Sequence, residues 1–268
     1  MRGTRIRWEV GMRWQLTAFA IAVVLAGCAT PDPYTNDLLT ASIAPGTGRK
    51  SIGVISAIGD AFSVQKVGLT VFQNALDEIP IDAWGIDERV VSSIGTQLGK
   101  KFEVKRISYS RTTFARVQKS KPLLASSKED YRNQIAELLR GMAGSQKCDL
   151  YVVVTKGGSA VGNTNQSVTS LGILYGGAGA IFSAFHVYAL FEVRVYDGRT
   201  FEVLGRQGGL SGQSPFFAVI RGPNREVDKT WWPEQPQSVA RDARIKDATM
   251  ALLDQSMAAT VSELLLKN

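Results

Sequence analysis

Few side chains here are equipped for covalent or acid-base chemistry. There is one histidine, His186, and there are two cysteines, Cys28 and Cys148. A Ser-His-Asp site could use His186, but no Gly-x-Ser-x-Gly elbow is present to expose a nucleophile. Lying between Phe185 and Val187 at the start of an alternating apolar run, His186 reads as a packed or sheet-edge residue. These counts exclude histidine-based and cysteine-based metal sites and leave only carboxylates. Asp77-Glu78, Asp82 and Asp87-Glu88 gather around Trp84, a grouping that sugar hydrolysis or calcium binding could use. The Asp-x-Asp-x-Asp-Gly spacing of a calcium loop is missing, however, and Asp87 is placed to cap a helix, so the acids read as helix-start and solvated-turn residues. Glycines are frequent between Gly157 and Gly179 without forming a P-loop or a dinucleotide fingerprint. Cys148 stands directly before the apolar run Asp149 to Val154 and reads as a small buried residue. The expectation is a chain with no catalytic residues, no metal and no cofactor.

Cys28 is the exception, because of what precedes it. Arg2, Arg5, Arg7 and Arg13 lead into an apolar run from Trp14 to Leu25, small residues follow at Ala26 and Gly27, and Pro31 and Pro33 come after. This is the pattern of an export signal. Twelve residues rise only about 18 Å as a helix, short of the roughly 30 Å hydrocarbon core, so an uncleaved span is disfavoured. Leu25-Ala26-Gly27-Cys28 also resembles, position for position, the lipobox of bacterial lipoproteins. The resemblance implies cleavage between Gly27 and Cys28, with Cys28 as the diacylglyceryl acceptor and mature amino terminus. Ala29 is not the Asp that in enterobacterial lipoproteins favours inner-membrane retention, so the implied location is the outer membrane, facing the periplasm. Membrane lipid is then a partner through Cys28.

The formal net charge of +7 falls to +4 when the four arginines and one glutamate of residues 1–27 are discounted. That mild, dispersed excess is not the pattern of a nucleic-acid binder, although it suits a surface near anionic lipid or cell-wall polymer. Residues 28–48, rich in Pro, Thr, Asn and Gly, read as a flexible tether. Residues 49–268 are long enough for a single α/β domain with a sizeable core, carrying an aromatic, proline-rich insertion at 211–237.

The elements expected in that domain follow from periodicity. Residues 51–58 read as a doubly buried strand, and 61–73 as one or two half-exposed strands. A helix follows Asp87, with Val90, Val91, Ile94 and Leu98 as its stripe, then a strand at 102–109 and a basic connection at 111–126. Ser127 opens a second helix whose face is Tyr131, Ile135, Leu138, Leu139 and Met142, and Leu150 to Thr155 is the most apolar strand. Residues 187–197 alternate strictly, Asp197 to Thr200 turns, and 201–206 returns antiparallel. A closing helix from about Ser238 presents a broad apolar stripe from Ile245 to Leu265. The rhythm predicts an α/β fold: a mixed sheet of about five to seven strands, two crossover helices and a C-terminal helix packed on it.

This order, with its buried "DLYVVV" strand and the "ALFEVRVYDGRTFEVLGR" hairpin, is similar to periplasmic lipoproteins of the curli-secretion-channel and penicillin-binding-protein-activator type, which share the fold of the TolB amino-terminal domain. The similarity spans roughly residues 51–206 and implies a fold with no enzyme chemistry.

Two segments admit two readings each. Residues 171–191 contain no Asp, Glu, Lys or Arg and are long enough to span a bilayer, which makes Leu171, Ile173, Leu174, Tyr175, Ile181 and Phe182 candidate membrane contacts. Four glycines and the strand starting at Val187 favour instead a glycine-rich loop or short helix tucked beneath the sheet. Trp231, Trp232, Phe216 and Phe217 form a candidate partner surface, or else cap the open edge of the core. Together these readings predict a lipid-anchored, non-catalytic binding or assembly module of the cell envelope, with an envelope protein or cell-wall component as partner. The alternatives are an oligomeric pore-forming export subunit, as the curli resemblance implies, and, last, a hydrolase.

Overall fold

The structure, a computed structural model, describes residues 36–43, 48–68, 70–119, 127–143, 146–162, 164–176, 184–211 and 219–266. Helix α1 (Asn36–Ile43) comes first and lies against the last strand of one sheet, with Leu39 and Ile43 buried. The expected tether of 28–48 is therefore interrupted by a packed turn of helix, because two apolar residues four apart supply a small stripe that the core accepts.

Strand β1 (Ser51–Ala57) is buried throughout and runs into β2 (Ala61–Val67), which turns back as β3 (Ala75–Pro80). Asp77 and Glu78 thus lie in a strand and not in a solvated turn, and β2 is largely buried where a half-exposed strand is expected. Helix α2 (Ile86–Leu98) leads to β4 (Glu103–Arg106), and the basic connection beyond it is helical as α3 (Arg111–Lys119). Helix α4 (Ser127–Ala143) then delivers β5 (Leu150–Lys156). A small ribbon, β6 (Gly158–Ala160) with β7 (Ser167–Thr169), precedes β8 (Leu171–Gly176) and β9 (Ala184–Ala189). Strands β10 (Phe191–Asp197), β11 (Val203–Gly208) and β12 (Asn224–Val227) follow, and α5 (Ala243–Val261) closes the chain with a π-turn over Ser262–Leu266. Asp242 caps α5 through the amides of Arg244 and Ile245, so the helix begins later than Ser238, which lies in a 3-10 turn over Pro236–Arg241.

The α/β class is as predicted, but the strands divide into two sheets of five. The first has the order β11-β10-β5-β1-β4, with β1 parallel to both β4 and β5 and the β10–β11 hairpin antiparallel. The second has the order β12-β9-β8-β2-β3. The chain passes between the sheets where β1 leads into β2 and where β9 leads into β10, and the β6–β7 ribbon links β5 to β8. These passages cluster at the carboxyl ends of β1 and β5, the crevice where open α/β sheets hold ligands. The crevice is filled by the chain itself: Gln118 of α3 donates to Ala57 O and accepts from Lys156 N, and Lys156 pairs with Asp60.

Alternation explains the layers. Ile52, Val54, Val152, Val154, Val193 and Val195 face one core with α2, α5 and the second sheet. Ile55, Tyr151, Val153 and Tyr196 face another under α3 and α4, where Phe114, Ile135 and Leu139 meet them. Arg89 of α2 holds Asp254 of α5 through nitrogen-oxygen distances of 3.0 and 2.5 Å, tying together the two helices that cover the larger core. Gly141, exposed on α4, has nothing within 4 Å of where a Cβ would stand. Gly141→Ala is expected to stabilise the fold by about 0.5–1 kcal/mol, measurable as a raised urea midpoint, because alanine loses less backbone freedom in a helix.

Candidate functional site

One end of the second sheet gathers the aromatic residues. Tyr175 and Phe185 are directly opposite each other on β8 and β9, with ring centroids 4.7 Å apart and planes inclined at 18°. Trp232 closes over both, at 5.8 and 6.0 Å. The chain reaches that position because β12 runs antiparallel to β9, bringing Val227 beside Phe185, after which Asp228 accepts the Thr230 amide and opens the 3-10 turn Lys229–Trp231. Trp231 has the Arg225 guanidinium 5.8 Å from its ring and the Arg244 guanidinium at 5.7 Å. Asp242 holds Arg244 with two side-chain contacts of 2.8 and 3.2 Å, so this cation is fixed against the indole.

The β2–β3 turn projects from the same end, since Lys66 is level with Tyr175 in the parallel β2–β8 pair. Phe72 in that turn is 95% exposed, and Leu76 at the start of β3 is 58% exposed. An end that combines half-buried indoles, stacked rings, an exposed phenylalanine and arginines offers amphipathic contact area with few side-chain rotations to freeze.

Among the predicted contacts, Trp231 and Trp232 therefore belong to one surface, each partly buried against the main core and partly open. They cap the core edge and face outward at once. Leu171, Ile173 and Leu174 are fully buried in the second sheet, and Tyr175 joins the tryptophans. Residues 171–176 and 184–189 of that segment are paired antiparallel strands, and they escape the alternation test because residues buried on both faces of a strand lose polar alternation. Phe216, Phe217, Ile181, Phe182, Gly27 and Cys28 lie outside the described residues. Phe72 and Phe185 escaped the sequence reading, although the uncharged run Gly68 to Phe72 between two strands is a signal that could have found the first.

The acidic cluster resolves differently. Asp87 does not cap its own helix: Gly85, at φ 66°, takes the N-cap position, and Asp87 is 4% exposed in the first turn. Its Oδ1 accepts from Ser56 Oγ at 2.7 Å, Ile58 N at 2.9 Å and Gly59 N at 3.3 Å, fastening α2 to the end of β1. Burial raises its pKa against the opposing effect of these donors. Tyr109 donates to Ser56 O beside it, and burial together with the Asp87 charge pushes that phenol up to about 12. The carboxylate is thus bound by its own chain, at the floor of a cleft that Glu88, Tyr109 and Arg111 also line. His186 Nδ1 is 3.1 Å from Asn224 Oδ1, whose amide nitrogen donates to Ile220 O and Gly222 O, so the imidazole carries its proton on Nδ1. Burial lowers the His186 pKa and keeps it neutral. Cys148 is buried, and burial raises its thiol pKa. Among the described residues no group of three or more His, Cys, Asp or Glu is arranged to hold a metal, and no helix is long and apolar enough to cross a membrane.

No protein-family model and no curated protein sequence matches the chain. Among solved structures it is similar to the C-terminal domain of LpoB from Salmonella enterica, at 9% identity and a TM-score of 0.23, covering 66% of this chain and 95% of that domain. It is also similar to a Xanthomonas campestris protein of family DUF330, at 9% identity and a TM-score of 0.30, covering 82% of this chain and 86% of that one. Likenesses this slight carry no argument about function.

Proposed function

We propose that the chain is a lipoprotein anchored through Cys28, probing the periplasm from the outer membrane, and that it works as a non-catalytic binding or assembly module of the cell envelope. The observation that carries the binding role is the aromatic end of the second sheet, where Trp232 packs on Tyr175 and Phe185, half-buried Trp231 precedes it, and the β2–β3 turn at the same end carries the exposed Phe72. The basic lead, apolar run and Leu25-Ala26-Gly27-Cys28 support the anchor. An acyl chain confines the folded unit to one surface, and a rigid aromatic patch then needs only to meet a partner sharing that surface.

Cys28→Ser is expected to abolish metabolic incorporation of labelled palmitate and to move the protein from the membrane pellet to the soluble fraction. A variant that still incorporates label would sink the anchor. Photocrosslinkers at Trp231 and Trp232 in intact cells are expected to capture an envelope component, and Phe72→Ser to reduce that capture. Capture of nothing above the background from a probe at Arg116 would remove the binding role.

The pore-forming reading has one observation in its favour: the antiparallel pairs β2–β3 and β8–β9 are neighbours in one sheet. Leu171, Ile173 and Leu174 are enclosed in the sheet, so in this fold they are not membrane contacts. A carbonate-resistant oligomer of the Cys28→Ser protein would favour this reading over the tethered module.

A further inference from the structure

At the end of the first sheet away from the second, the segments entering β1 and β5, the β10–β11 turn, α1 and α4 enclose a cleft of about 860 Å³. Four cations line it: Lys50 before β1, Lys147 before β5, Arg140 on α4 and Arg199 in the turn. Two carboxylates are also present, and both are turned to the backbone. Asp149 accepts from Ser51 N at 2.7 Å and Ser51 Oγ at 2.8 Å, while Asp197 accepts from the amides of Arg199 and Thr200 at 2.8 Å each. Among the lining residues cations outnumber carboxylates by two, and Arg140 is also paired with Glu137 outside the lining.

Phe201 stands beside the cleft at φ 62°, a conformation that bulky side chains avoid. Its amide donates to Asp197 O at 3.0 Å, so it fills the left-handed position that closes a short hairpin and that glycine commonly occupies. The ring meets two groups: Tyr151 stacks on it at 6.1 Å, and the Arg140 guanidinium lies 5.6 Å from its centroid. Arg140 is further steadied by Glu137 and by the carbonyl of Thr200 at 3.5 Å. Phe201 thereby adds a ring face to the contacts that position the Arg140 guanidinium at the cleft.

We propose that this cleft binds a phosphate group, carried by a monoester or a diphosphate, with Arg140, Arg199, Lys147 and Lys50 as binding residues and Phe201 as a positioning residue. Two planar guanidinium forks and two compact ammonium groups around one concavity suit an anion with several acceptor oxygens. A soluble phosphate ester and a lipid headgroup share this chemistry.

The full-length protein in detergent, titrated calorimetrically with pyrophosphate, tests the proposal. In parallel, Cys28→Ser protein without the signal residues 1–27 is sedimented with phosphatidylcholine vesicles that contain or lack phosphatidic acid, so that neither an acyl anchor nor the apolar signal can contribute. Saturable binding of pyrophosphate points to a soluble ester, and capture only by vesicles with phosphatidic acid points to a headgroup; either sustains the site. Arg140→Gln and Arg199→Gln are each expected to weaken whichever binding is seen by about tenfold or more, and Arg116→Gln, at the other end of the sheet, to leave it unchanged. Phe201→Gly is expected to weaken binding by about tenfold while the thermal midpoint stays within a few degrees, because relief of the strained φ offsets the lost ring packing. Absence of binding to both probes, or binding indifferent to Arg140→Gln and Arg199→Gln, overturns the site. Unchanged affinity in Phe201→Gly overturns the positioning role.

Discussion

Asp87→Ala is expected to destabilise the folded unit by on the order of 3 kcal/mol, read as a lowered urea midpoint with an unchanged m-value. The carboxylate is 4% exposed and accepts from Ser56 Oγ, Ile58 N and Gly59 N, so its removal leaves three buried donors facing a void. The loss lies mostly in those orphaned donors, each far from water where the first sheet hands the chain to the second. Asp87→Asn keeps one acceptor oxygen and is expected to lose about half as much.

The same residue gives a pH signature of defined sign. Burial raises the folded pKa of Asp87, so its contribution to stability is fully present below the unfolded value of about 3.9 and is lost as pH rises through the folded value. Other carboxylates run the opposite way. The Ser51 amide and hydroxyl hold Asp149 low, the Arg244 guanidinium holds Asp242 low, and for Asp197 burial opposes the shift but the amides of Thr200 and Arg199 prevail. Their contributions are present above the unfolded value and fall away as pH drops through the folded ones. Asp87→Asn deletes only the first kind. Between about pH 6 and pH 4, the variant should therefore lose stability on acidification more steeply than the wild type. Parallel curves over that interval would refute the raised pKa.

Asp87 also shows where sequence reading stops. An acid in the first turn of a helix is ordinarily a cap or a partner for the helix dipole, and nothing local says that Ser56, thirty-one residues earlier, lies above it. Helices α2 and α4 and strands β1 and β5 were legible because each has a single buried face or a wholly apolar run. Helix α3 was not: in Arg111–Lys119 the described buried residues are Phe114 and Gln118, too few to make a stripe. Strand β12 was hidden by its polar composition, Asn-Arg-Glu-Val, in a segment dense with proline and aromatic residues.

The division into two sheets was concealed for a subtler reason. Val187, Ala189, Phe191, Val193 and Val195 all face the same main core, so the period of two runs unbroken through Leu190. Yet Leu190 packs into a different cluster, with Tyr188, Leu174 and Val168, and the ladder changes partners on either side of it, from β8 and β12 to β5 and β11. Alternation reports which face is buried and says nothing about the neighbouring strand. The aromatic site depends on that missing information, since Tyr175, Phe185 and Trp232 are brought together by pairing within the second sheet.

Gly198→Ala is expected to cost on the order of 4 kcal/mol, the larger effect of the two. Asp197 to Thr200 reads as a turn, and its left-handed residue is Phe201, so Gly198 serves a different need. A Cβ at Gly198 would stand 1.9 Å from the Cys148 carbonyl oxygen and 2.7 Å from the carbonyl carbon and oxygen of Asp149. All three are backbone atoms, and they are tied: Asp149 N donates to Ser51 O at 3.0 Å, and Gly198 N donates to Asp149 O at 2.8 Å. The entry to β5 cannot retreat without opening the β1–β5–β10 register at that end, so overpacking is compounded by the loss of about two hydrogen bonds. Gly208→Ala, with nothing within 4 Å of the added carbon, is the matched control and should stay within about 0.5 kcal/mol of the wild type. Equal urea midpoints for the two alanine variants would mean that the close approach of the turn to β5 does not hold in solution. With it would go the packing that sets Asp197, Arg199 and Phe201 around the cationic cleft.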